Sequence, residues 1–130
     1  MLPLARLDER GTYLVAWDAR DPLGHAHIAW AETTLGVPEI QDVFVLPERR
    51  RMGVARALTL ACEKLAAARS HETISLGYSV AHAAARRLYE GCGYVDAGIE
   101  PLHVTGTIGI PGQAVEVDDT LIYLTKRLRG

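Results

Sequence analysis

Residues 43–66 read VFVLPERRRMGVARALTLACEKLA. The apolar run Val43–Leu46 ends at Pro47, which cannot continue a central ladder. From Met52 to about Arg69, Val54, Leu58, Ala61, Cys62 and Leu65 recur at helical spacing, leaving Arg56, Glu63 and Lys64 for the wet side. Arg49, Arg50 and Arg51 stand at the electropositive end of that helix, where each cation costs from a few tenths to about 1 kcal/mol. An anion on the first turn would reverse the balance, because unpaired N–H groups converge there and Gly53 and Ala55 are small enough to let a phosphate approach. Neither a GK[ST] phosphate loop nor a GxGxxG dinucleotide fingerprint is present.

Working outward, Thr12–Asp18 alternates around Tyr13, Val15 and Trp17. ARDPLG supplies a turn, and His25–Ala31 resumes the alternation, so an antiparallel hairpin is expected. A third strand runs from about Glu39 to Leu46. Beyond the long helix, Thr73–Val80 reads as a strand, and Ala81–Glu90 as an Ala-rich helix closed by Gly91 and Gly93. Gly98–Asp119 is rich in Gly and Pro and receives no assignment. Thr120–Thr125 is expected to be the last strand.

The 130 residues fit one domain, 1–130, and 48% hydrophobic with 23% charged residues at a net charge of −2 is the profile of a globular chain. The basic residues are local and lack interleaved aromatics, so nucleic-acid binding is not expected. Apolar stretches are broken well before the roughly 20 residues of a membrane span, and MLPLARLDER lacks a signal-peptide core; a cytoplasmic protein is expected. Cys62 and Cys92 lack CxxC spacing, which argues for packed, reduced thiols.

Arg50-x-x-Gly53-x-Ala55 resembles the Q/R-x-x-G-x-G/A motif of the GCN5-related N-acetyltransferase (GNAT) superfamily, in which main-chain amides hold the pyrophosphate of acetyl-CoA. A second run, His82-x-x-Ala85-x-x-Leu88-Tyr89-x-x-x-Gly93-Tyr94, resembles the family's N-x-x-A-x-x-L-Y-x-x-x-G-F signature, with His82 in place of Asn. The resemblance is good from Glu39 to Asp96 and looser outside. It implies an α/β fold: a mixed, mostly antiparallel sheet, splayed into a V between its central strand and the parallel neighbour and flanked by helices. The N-terminal side is short, since only about a dozen residues precede Thr12 where the family has a strand and two helices.

The resemblance implies an acyl-CoA-dependent N-acyltransferase that moves an acetyl group from acetyl-CoA to a primary amine of a small molecule or protein by direct attack. The alternative is a catalytically degenerate module that binds acyl-CoA for a regulatory role. Acetyl-CoA as co-substrate would be held by Val43, Phe44, Val45, Arg50, Arg51, Met52, Gly53, Val54, Ala55, His82 and Tyr89. Tyr89 falls on the family's general-acid position. For the base, Glu39 and Asp42 are candidates of opposite parity, Glu39 being the one put forward; in a regular strand Asp42 shares a face with Phe44, and Glu39 and Gln41 share the other. His25-x-His27 has a spacing that can bind metal, but a polar sheet face is the expectation, and no metal is expected. Trp17 and Trp30 belong either to the core or to a homodimer surface.

Overall fold

A computed structural model describes residues 6–7, 10–110 and 112–128. Its elements run, in order, β1 (Arg6–Leu7), β2 (Gly11–Asp18), β3 (Asp21–Ala29), β4 (Glu39–Val45), a 3-10 turn (Pro47–Arg49), α1 (Val54–Ala68), β5 (Thr73–Ser79), α2 (Ala83–Gly91), β6 (Val95–Asp96), β7 (Leu102–Ile110) and β8 (Gln113–Arg127). The eight strands form one sheet in the order β1-β2-β3-β4-β5-β8-β6, with β7 also on β8. Every pairing is antiparallel except β4 with β5.

The hairpin is tighter than ARDPLG suggests. Asp18 pairs with Asp21 across Ala19 and Arg20, and Ala19 takes φ 52 to close the turn. Gly53 is the N-cap of α1 at φ 80, a left-handed conformation that glycine adopts without steric cost, so the helix begins later than Met52. The unassigned Gly98–Asp119 segment contains β7 and the first part of a β8 far longer than Thr120–Thr125.

One face of the sheet packs on α1. Leu14 and Ala16 of β2, Ala26 and Ile28 of β3, Ile40 and Val45 of β4, and Ile74 and Leu76 of β5 form a core with Val54, Leu58, Cys62 and Ala66. Ile40 and Val45 differ in parity yet both enter this core. The reason is a bulge: His25 pairs with Phe44, but His27 pairs with Gln41, so β4 spends one extra residue there. Asp42 sits in it at φ 51. The bulge corrects the parity expected of a regular strand. Glu39 and Gln41 lie on the same side as Phe44, opposite Val43 and Val45: Gln41 meets His27 at 3.2 Å, and Phe44 stacks on His25 at 5.6 Å between ring centroids.

The two tryptophans part company. Trp30 Nε1 donates to Thr12 Oγ1 at 2.8 Å, and the Arg69 guanidinium lies 4.2 Å from its ring centroid. Trp17 is exposed on the side away from α1, as is Tyr13, which is 49% accessible.

Candidate functional site

The parallel pairing of β4 with β5 lasts for two registers, Glu39 with Ser75 and Ile40 with Leu76. Ser75 ties off this end by donating to the Pro38 carbonyl from its amide at 2.8 Å and from its hydroxyl at 3.0 Å. Beyond Ile40 the strands separate. The gap is a cavity of about 550 Å³, walled by Gln41, Asp42 and Val43 on β4, Gly77, Tyr78 and Ser79 on β5, and His82, Ala85 and Tyr89 from the α2 segment. His82, Ala85 and Tyr89 follow i, i+3, i+7 spacing, which stacks them on one face of α2. The small Ala84 and Ala85 keep that wall thin.

A second cavity, of about 430 Å³, adjoins the first through Val43, Ala84, Ala85 and Tyr89. Its remaining walls are Phe44, Val45, Arg49, Arg50, Arg51, the opening of α1 from Gly53 to Arg56, and Leu88 of α2. Among the described residues no side chain caps the N-terminus of α1, so its first-turn amides are available to a ligand. The arginines are partly committed within the chain: Arg49 lies 3.6 Å from Asp18, and Arg50 Nε donates to the Val45 carbonyl at 3.2 Å. Arg51 is exposed at φ 65. The cradle is therefore built chiefly from backbone and small residues.

The fold thus gathers Val43, Phe44, Val45, Arg50, Arg51, Gly53, Val54, Ala55 and Tyr89 around one cavity, and brings His82 to the other. Met52 lies beside them in a smaller hollow with Asp18, Leu23 and Ala57. Glu39 stands apart, at the paired end of the V. It is 7% exposed; its Oε2 accepts from Gln41 Nε2 at 2.7 Å, its Oε1 has no partner among the described residues, and it lines neither cavity. Asp42 does line the larger one. Its place was not readable from alternation, because a single-residue bulge leaves no periodic mark.

Tyr89 is buried at the junction of the cavities, its ring edge-on to Tyr94 at 5.9 Å. Burial pushes its hydroxyl up to about 12, and the nearby Cys62 and Cys92 add to the rise. The group stays protonated at neutral pH and so has a proton to donate, in a hydrogen bond or by transfer. Burial, reinforced by Glu63, likewise pushes the Cys62 thiol up to about 12, which makes it an inert packing residue. Among the described residues no three His, Cys, Asp or Glu side chains gather to hold a metal, and none of the helices is long and apolar enough to cross a membrane.

Solved structures share this architecture. An acetyltransferase of Bacillus subtilis in complex with CoA is 20% identical, with a TM-score of 0.73, over 93% of this chain and 79% of that one. An IAA acetyltransferase from Bacillus cereus is 18% identical, also at 0.73, over 92% and 79%. The spermidine N-acetyltransferase of Vibrio cholerae, in complex with CoA and spermine, is 22% identical at 0.67; the match covers 91% of this chain but 66% of that one, just under two thirds of its length. No curated protein sequence matches the chain. The sequence model of the acetyltransferase (GNAT) family matches residues 2–94, which include β4, the arginine turn, α1 and the α2 segment that build the V and its cradle. By that match, on this fold, the chain belongs to the acetyltransferase (GNAT) family.

Proposed function

We propose that the chain is an acyl-CoA-dependent N-acyltransferase that moves an acetyl group from acetyl-CoA to a primary amine. The observation that carries this reading is the separation of β4 from β5 after two registers, opening directly onto the uncapped start of α1. Acetyl-CoA would supply the thioester that the amine attacks. The diphosphate suits the amides of Gly53–Ala55, and the pantetheine amides suit the backbone of Val43–Val45, which β5 does not pair, apart from the Val45 carbonyl that Arg50 already occupies.

The protein's share of the chemistry is positioning and proton handling. Tyr89 faces the junction of the cavities and donates a hydrogen bond to the departing sulfur. With its hydroxyl held near 12 and a thiol near about 8.5, complete proton transfer to sulfur runs uphill. Tyr89 therefore acts mainly by stabilising the developing negative charge. For the amine proton, Glu39 reaches the cavity only through Gln41. Asp42 lies on the cavity wall, so the shorter route runs to Asp42. His82, in the place of the family's Asn, lines the same wall and contacts the pantetheine arm.

Calorimetric titration with acetyl-CoA, followed by thiol-release assays over small amines, polyamines and lysine peptides, tests the reading. Saturable binding with turnover of at least one amine class is expected. Absence of binding to acetyl-CoA and to longer acyl-CoA thioesters would overturn it, and binding without turnover of any amine would replace it with the regulatory-module alternative.

A further inference from the structure

The connection from β3 to β4, residues 30–38, is longer than two antiparallel neighbours need. It is braced internally: Thr33 Oγ1 donates to the Val37 carbonyl at 2.6 Å, and the Gly36 amide to the Thr33 carbonyl at 3.3 Å. At its tip, Thr34 Oγ1 donates to Tyr123 Oη on β8 at 3.1 Å. Because β5 lies between β4 and β8, the segment crosses two strand spacings, about 10 Å, and straps the paired end of the V to the far half of the sheet. Glu39 and Ser75 form the first register of that paired end and face away from α1. They are nevertheless 7% and 0% exposed, and the strap accounts for their burial.

Tyr123 is where the strap lands. It pairs with Gly77, and a Cβ built at Gly77 would meet the Tyr123 ring at 3.0 Å. Gly77 alternates with Leu76 and Tyr78 of the core, so the ring lies over it on the side away from α1. Gly77 is also the first residue of β5 beyond the Ile40–Leu76 register and a wall of the larger cavity. The ring, 6% exposed, therefore stands at the vertex of the V, held by Thr34 on one side and seated on a residue without a side chain on the other. With acetyl-CoA in the cavities on the helix side, an acceptor enters from the opposite side of the sheet, where Tyr123 and the strap bound the space at the vertex. We infer, on the acyltransferase reading, that Tyr123 latched by Thr34 is a steric stop that selects the acceptor. It admits slender, unbranched primary alkylamines and excludes amines that carry a ring or branch close to the nitrogen.

Thiol release from acetyl-CoA with butylamine and with benzylamine tests this on the full chain. The wild type is expected to favour butylamine, and Tyr123→Ala should raise the benzylamine-to-butylamine ratio of kcat/KM by about tenfold or more. Thr34→Val keeps the ring and removes its latch, so the amides of residues 31–37 should exchange hydrogen about fivefold faster, and the ratio should move in the same direction. Circular dichroism and acetyl-CoA titration confirm that each variant is folded. A wild type that favours benzylamine, a ratio that neither variant changes, or strap amides indifferent to Thr34→Val would each overturn the assignment while leaving the acyltransferase reading in place. A wild type that binds acetyl-CoA and acetylates no amine would overturn both.

Discussion

Lys126 Nζ lies 2.8 Å from Glu63 Oε1, linking β8 to α1 across the interior. The same ammonium donates to the Cys92 carbonyl at 2.7 Å, and Glu63 Oε2 accepts from Tyr94 Oη at 3.0 Å. One carboxylate thus joins α1, β8 and the residues that follow α2. Both side chains of the pair are mostly buried, so removing the cation leaves an uncompensated charge. Lys126→Met should destabilise the fold by about 3 kcal/mol, the low end for a broken buried pair, and Tyr94→Phe by about 1 kcal/mol. Urea denaturation measures both, and Lys126→Met combined with Glu63→Gln should cost less than Lys126→Met alone.

Ligand binding should discriminate between the cradle and its rim. Gly53→Glu places a bulky anion at a φ 80 position beside the uncapped helix start, and acetyl-CoA affinity should fall by about tenfold or more. Arg49→Ala removes a partly exposed ion pair with Asp18, of a kind worth about 0–1 kcal/mol. Calorimetry should therefore show the smaller loss for Arg49→Ala.

Tyr89→Phe should lower the turnover of amine acetylation by about a hundredfold while the Michaelis constant for acetyl-CoA changes little. The buried hydroxyl and thiol also set an alkaline limit. Tyr89 and Cys62 both rise to about 12 in the fold, from 10.0 and 9.0. Over that interval the folded chain binds more protons than the unfolded one, so this stability is complete below about pH 9 and is lost as pH climbs toward 12. Urea midpoints measured from pH 8 to 11 should decline, and less steeply in Tyr89→Phe.

Asp42 holds a backbone conformation, φ 51, that glycine accepts more readily. Asp42→Gly should raise stability by about 0.5–1 kcal/mol. The same change should lower amine acetylation by about a hundredfold, leaving acetyl-CoA affinity intact. A variant that gains stability and keeps full turnover would return the proton to Glu39 or to water.

Residues 43–66 made the core of this fold legible because strand, breaker and helix periodicity agree there, and because Gly53 stands where the chain must turn left-handed. The packing of Val43 and Val45 beside α1 was readable for the same reason. The orientation of Glu39 was not: it depends on one unpaired residue at Asp42, which inverts the strand's faces without disturbing local composition. The β7–β8 ribbon was hidden by its glycines, which read as loop although only Gly106 and Gly109 fall among the nine residues of β7. The fates of Arg49 and Arg50 depended on Asp18 and the Val45 carbonyl, partners that only the folded chain brings near.

Pairing between β4 and β5 ends after Ile40 with Leu76, and this has a mechanical side. The seam between the two parts of the sheet is a slot closed at one end, and a load applied across it concentrates on the Glu39–Ser75 and Ile40–Leu76 registers. Pulled from β2 and from β8, the molecule should yield along this line before any hairpin peels. The opening that admits a ligand is also where the protein would tear.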